Sequence, residues 1–199
     1  MIGQKNVQMV YFSVNGFVGL NRIINERLDP GGKRRRKGRA MRTEQEVNCA
    51  VEQYSDMILR LCNVSLKNLQ DAEDVLQTVF LKYALSRVEF ESAEHEKAWL
   101  IRVASNQCKD VLRNVFRKRT VSLEEADLPG AAPEQPDVLE AVRALPRAYR
   151  EVIYLHFYEG YTAPEIAKIL GKNPNTIYTH LYRAKAMLKD ALGGEGDGT

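Results

Sequence analysis

What most constrains this chain is the way its apolar residues are parcelled out. Between Gln45 and Ser65 they fall at Val47, Ala50, Val51, Tyr54, Ile58, Leu61 and Cys62. Steps of three and four bring all seven to one face of a helix with 3.6 residues per turn, which predicts a first helix there. Ala72, Val75, Leu76, Val79, Phe80 and Tyr83 give a second stripe, with Asp71 placed to cap it. Trp99, Leu100, Val103, Ala104, Cys108, Val111, Leu112 and Val115 follow with no internal Gly or Pro, predicting a third helix of about six turns. From Thr120 to Pro136 the pattern collapses into acidic residues, a glycine and Pro129, Pro133 and Pro136, the composition of a linker.

Periodicity returns beyond it. Asp137 to Leu145 is a short helical pattern, and Pro146 suits the first turn of a helix through Val152, Ile153, Leu155 and Phe157 that Gly160 closes. Thr162-Ala-Pro-Glu165 reads as a capping box, and Ile166, Ile169 and Leu170 face a core. Gly171 permits a left-handed helix end and Asn173-Pro174 starts another helix at once, the signature of a helix-turn-helix. In that last helix Ile177, Leu181, Ala184 and Leu188 repeat on the inner face. The expectation is an all-α chain: two small helical domains joined by a flexible linker, the C-terminal one a helix-turn-helix. Strand signal is confined to Val7–Leu20, where Asn15-Gly16 could form a tight turn but the second arm is short.

Charge is unevenly placed. The 199 residues carry a formal +3, yet residues 1–40 hold 9 Lys/Arg against 2 Asp/Glu, leaving 20 against 24 in the rest. The basic excess therefore sits in one Gly-rich segment around Lys33–Lys37, expected to be disordered, and global charge says little about nucleic acid. Met41 is a candidate start, with residues 1–40 then an upstream extension. Val7–Leu20 is too short and too interrupted to span a membrane, and lacks the flanks of a signal peptide. Cys49, Cys62 and Cys108 form no CxxC pair and fit reduced thiols. A cytoplasmic protein without membrane insertion is expected. No phosphate loop, HExxH pair or GxSxG elbow is present, and His95, His156 and His180 are scattered, so neither an enzyme, a cofactor, a metal nor a small-molecule substrate is expected.

Three local patterns carry chemistry. The third helix ends with Lys109, Arg113 and Arg117 four residues apart, a basic ridge on an element that also bears Trp99 and Asn106, a combination suited to single-stranded DNA. The second helix exposes Asp71, Asp74, Gln77 and Thr78, an acidic face that suits a protein partner rather than phosphates. The last helix presents Asn175, Thr176, Tyr178, Thr179, His180, Tyr182 and Arg183 away from its core side, hydrogen-bonding groups able to reach base edges in a major groove, with Arg183, Lys185 and Lys189 available to phosphates.

These residues, in this order, resemble the bacterial sigma factors of the extracytoplasmic-function type, two-domain members of the sigma-70 superfamily that direct RNA polymerase. Asp71–Phe80 looks like the family's core-binding helix in region 2, Trp99–Asn106 with Asp110 and Arg113 like its promoter-melting segment, and Leu145–Leu188 like region 4. The resemblance implies a region 2 domain over residues 41–119, a linker over 120–136, a region 4 domain over 137–192 and a tail over 193–199. It implies that Asp71, Asp74 and Gln77 dock on core RNA polymerase. Asn106, Lys109, Arg113 and Arg117 would engage the melted minus-ten element. Asn175, Thr176, Tyr178, Thr179, His180 and Arg183 would read the minus-thirty-five duplex, and an anti-sigma factor is an expected partner. Tyr178, Thr179 and His180 stand where many relatives carry Lys, Ser and Arg, so base preference does not transfer. The competing readings are a stand-alone helix-turn-helix regulator, which leaves the first domain unexplained, and a helical adaptor, for which the basic ridge is incidental.

Overall fold

The structure, a computed structural model, describes residues 42–121 and 138–192, the side chains of 115–121 and 139 excepted. The N-terminal segment with its candidate hairpin and basic run, the proline-bearing linker from residue 122, and the C-terminal tail lie outside the described residues. Every regular element among those described is helical: α1 (Glu44–Leu66), α2 (Leu69–Leu85), α3 (Ala93–Val121), α4 (Val138–Ala144), α5 (Arg147–Ile153), a π-helical turn at Tyr154–Tyr158, α6 (Ala163–Leu170) and α7 (Pro174–Ala191). The described residues fall into two compact units, one of 42–62 with 68–107, the other of 63–67 with 108–121 and 138–192.

In the first unit the three predicted stripes meet. Val47, Val51, Ile58 and Leu61 of α1, Leu76, Val79 and Phe80 of α2, and Leu100, Ile101 and Ala104 of α3 are buried, each large side chain contributing about 1.5–3 kcal/mol of hydrophobic stabilisation. A capping box starts α1: the Thr43 amide donates to the Glu46 carboxylate at 2.8 Å and the Glu46 amide to the Thr43 hydroxyl at 3.3 Å. At α2 the expected cap is displaced by three residues. Asn68 is the N-cap, its side-chain oxygen accepting from the Gln70 and Asp71 amides at 2.9 and 3.2 Å, while Asp71 sits inside the first turn. Leu69 and Gln70 are already helical, so an Asp71 cap would forgo a turn that Asn68 can satisfy.

A polar girdle closes this unit. Glu96 of α3 accepts hydrogen bonds from the hydroxyls of Tyr54, at 3.4 Å, and Tyr83; burial and that bond push the Tyr83 phenol well above its ordinary pKa. Arg42 is 4% exposed. Its guanidinium lies 4.2 and 4.6 Å from the ring centroids of Tyr83 and Phe90 and donates to the Val88 carbonyl at 2.8 Å, so one cation pins the loop after α2.

In the second unit α4, α5 and α6 all pack on α7. Leu155, Ile166, Ile177 and Ala184 are fully buried at its centre. The predicted continuous helix to Phe157 is modified: from Tyr154 the ladder widens, the Glu159 amide reaching the Tyr154 carbonyl at 3.2 Å. The extra residue in that turn sets back the register. Leu155 stays inside while Phe157 and Tyr158 emerge, at 60% and 63% exposure. Pro146 is the cap of α5 rather than a member of its first turn, and Gly160 ends the segment at φ 78°.

Candidate nucleic-acid and partner interfaces

The α6–α7 pair is built by its punctuation. Glu165 accepts from the Thr162 amide at 2.8 Å and from the Thr162 hydroxyl at 2.6 Å, which holds its carboxyl below the ordinary carboxylate pKa. Gly171 takes φ 63°, and the Lys172 amide turns back to the Ala167 carbonyl at 2.9 Å. Asn173 then caps α7 through the Asn175 amide at 2.9 Å, with Pro174 in the first turn. Three residues thus separate two helices whose apolar faces share one core. The outer face of α7 is left uncovered.

Of the residues that sequence reasoning assigned to this face, Asn175, Thr176, Tyr178, Thr179 and Arg183 are exposed together. His180 is half-buried. Its ring lies 5.2 Å from that of Tyr149, and burial together with Lys172 and Arg183 holds its pKa below the ordinary 6.5. The helical pattern explains this placement, since position 180 falls on the flank nearest the core stripe of Ile177, Leu181 and Ala184. Beside the face, His156, Thr162, Pro164, Tyr178, Tyr182 and Lys185 line a shallow groove of 450 Å³, and the Lys185 ammonium sits 5.2 Å above the Phe157 ring.

In the first unit, Asp74 is exposed and Asp71, Gln77 and Thr78 are half-exposed along α2. The Thr78 hydroxyl is used within the helix, donating to the Asp74 carbonyl at 3.0 Å. On α3, Asn106 and Arg113 are exposed and Lys109 is half-buried. With Arg117 they recur at three- and four-residue steps, so helical geometry puts all four positions on one face; the Arg117 side chain lies outside those described. Asp110 forms an ion pair with Arg113 within the ridge, tempering its positive charge. Trp99 is half-buried and packs against Tyr83 and Phe90, ring centroids 6.2 and 5.8 Å away.

Known proteins bear on this arrangement. The family model for sigma-70 region 2 matches residues 50–119, and that for sigma-70 region 4 matches residues 136–188. RNA polymerase sigma factor SigV of Bacillus subtilis is 33% identical over 154 residues, 75% of this chain and 92% of that one. The chain belongs to the sigma-70 superfamily, among its extracytoplasmic-function factors. ECF RNA polymerase sigma factor SigW of the same organism is 26% identical over 161 residues, 71% of this chain and 86% of its own. The fold is shared with the sigma factor RpoE of Bartonella quintana, solved in complex with the anti-sigma factor NepR, at a TM-score of 0.63 and 21% identity, covering 76% of this chain and 99% of that one.

Within this sigma factor the acidic face of α2 and the ridge of α3 fall inside the region 2 match, and the exposed face of α7 inside the region 4 match. Sequence reasoning missed two features. Arg42 reads as an ordinary surface cation because its aromatic partners lie more than forty residues away in the chain. Tyr182, named only among several polar residues, is 77% exposed at the middle of the outer face of α7, which its position opposite Ile177 and Ala184 could have indicated.

Proposed function

We propose that this protein binds core RNA polymerase and directs it to a specific set of promoters, the polymerase supplying all catalysis. The observation that carries the reading is the occurrence on one chain of both family regions, with an acidic α2 face and a polar α7 face each left uncovered within its own unit. Residues 41–119 act as the core-binding and minus-ten module, residues 120–136 as the linker and residues 137–192 as the minus-thirty-five module.

Asp71, Asp74 and Gln77 dock on the polymerase. Asn106, Lys109, Arg113 and Arg117 line the path of the opened minus-ten strand, where extruding a base costs a few kcal/mol and contacts to a preferred base return it. Asn175, Thr176, Tyr178, Thr179 and Arg183 face the minus-thirty-five major groove, with the helix amides and Arg183 on phosphates. His180 joins this set by supporting the helix from its flank. Among the described residues no helix is long and apolar enough to cross a membrane, and the site of action is the cytoplasm, with the polymerase. Kinship to a factor solved with its anti-sigma partner supports an anti-sigma regulator here as well.

In-vitro transcription with core RNA polymerase on genomic fragments tests the reading. Promoter-dependent transcripts that require this protein are expected. Their absence, with the protein binding DNA by itself, would favour a stand-alone regulator.

A further inference from the structure

The outer face of α7 is less polar in space than in sequence. Opposite the buried stripe of Ile177, Leu181 and Ala184 run Asn175, Thr179, Tyr182 and Ala186, all exposed. The Thr179 hydroxyl donates to the Asn175 carbonyl at 2.8 Å, committing its one proton to the helix and leaving its methyl group and the acceptor side of its oxygen to face outward. Tyr182 stands 77% exposed in the middle of this strip, and the structure gives its hydroxyl no hydrogen-bond partner among the described residues. Exposed cations flank the strip at Arg183, Lys185 and Lys189, which suits a polyanion on either side rather than an apolar protein surface.

We propose that this face selects A·T base pairs through apolar contact of the Tyr182 ring and the Thr179 methyl with thymine C5-methyl groups. The inference rests on the reading of α7 as the element that enters the minus-thirty-five major groove. There the thymine methyl is the one apolar mark a base pair displays, and an aromatic ring or a Thr methyl is the side-chain group that matches it. With its donor used, Thr179 has no proton for the thymine O4 acceptor, so its methyl is the group it can offer to thymine. Asn175, at the start of the strip, is the polar member, placed for the adenine of such a pair.

The test uses the full chain with core RNA polymerase on a promoter it transcribes, replacing each upstream-element thymine in turn by deoxyuridine, which deletes only the methyl. Wild type is expected to lose about fourfold in complex stability at one or two positions, the worth of one buried methyl-sized group. Tyr182→Ala should abolish that sensitivity at the position its ring reaches while sparing any that the Thr179 methyl carries, and Tyr182→Phe, which keeps the ring, should retain it throughout. Deoxyuridine without effect at every position, full sensitivity in Tyr182→Ala, or loss in Tyr182→Phe would each overturn the inference while leaving the promoter-reading role intact. An upstream element indifferent even to base-pair exchange would bring down the role of α7 itself, and the inference with it.

Discussion

Arg42 shows how much one side chain can decide. It is a buried guanidinium whose charge is met by two aromatic faces and a carbonyl, and removing it strips the loop after α2 of its anchor. Arg42→Ala should destabilise the first unit by about 2–3 kcal/mol, the scale of a desolvated cation–π contact plus a charged hydrogen bond, measured by urea unfolding. A midpoint unchanged from wild type would show that the aromatic pair holds without it. His180 gives a pH signature. Its folded-state pKa is depressed by burial and by Lys172 and Arg183, so below the ordinary value near 6.5 the unfolded chain takes up a proton that the folded one resists. Stability from this residue is therefore full above 6.5 and declines as pH falls toward the folded pKa. Unfolding curves at pH 7.5 and about 5.5 should show that decline in wild type and a smaller one in His180→Phe.

At the scale of elements, helix ends are where local chemistry is most visible. Gly171 occupies φ 63° by necessity of the three-residue turn, whereas Lys67, between α1 and α2, takes φ 60° with a side chain in the way. Gly171→Ala should cost about 1–2 kcal/mol and Lys67→Gly should recover up to about 1 kcal/mol, opposite signs for the same backbone region. Thermal unfolding of the two variants would check both, and equal signs would contradict the account. Helix existence was legible in the sequence because seven-residue stretches of three-and-four spacing leave no other way to bury those side chains. The Thr162–Glu165 box and the Gly171-Asn173-Pro174 turn were legible because each is a local hydrogen-bond solution. The Asp71 cap failed because Asn68 solves the same problem one turn earlier. Phe157 surfaced because a π-turn, which no composition signal announces, shifts the register in mid-helix.

For the whole molecule, the site was legible as faces but less so as individual side chains. Acidic α2, basic α3 and polar α7 follow from sequence spacing, and so could the Asp110–Arg113 pair, three residues apart on one helix, while the half-burial of His180 against Tyr149 depends on a neighbour that only the fold supplies. If the α2 face docks on polymerase, Asp74→Ala combined with Gln77→Ala should abolish co-purification with core enzyme while leaving the unfolding midpoint within about 0.5 kcal/mol of wild type, as surface changes do. Undiminished co-purification would refute that assignment. The larger claim is cooperative: the few cations of α7, with Arg113 tied to Asp110 on α3, release few counterions on DNA. Each module alone is therefore weak, and polymerase must hold both. Footprinting on a responsive promoter tests this most directly. Protein with core enzyme should protect the minus-thirty-five and minus-ten segments together, and protein alone neither; protection of a single site by the protein alone, unaltered by adding polymerase, would contradict it.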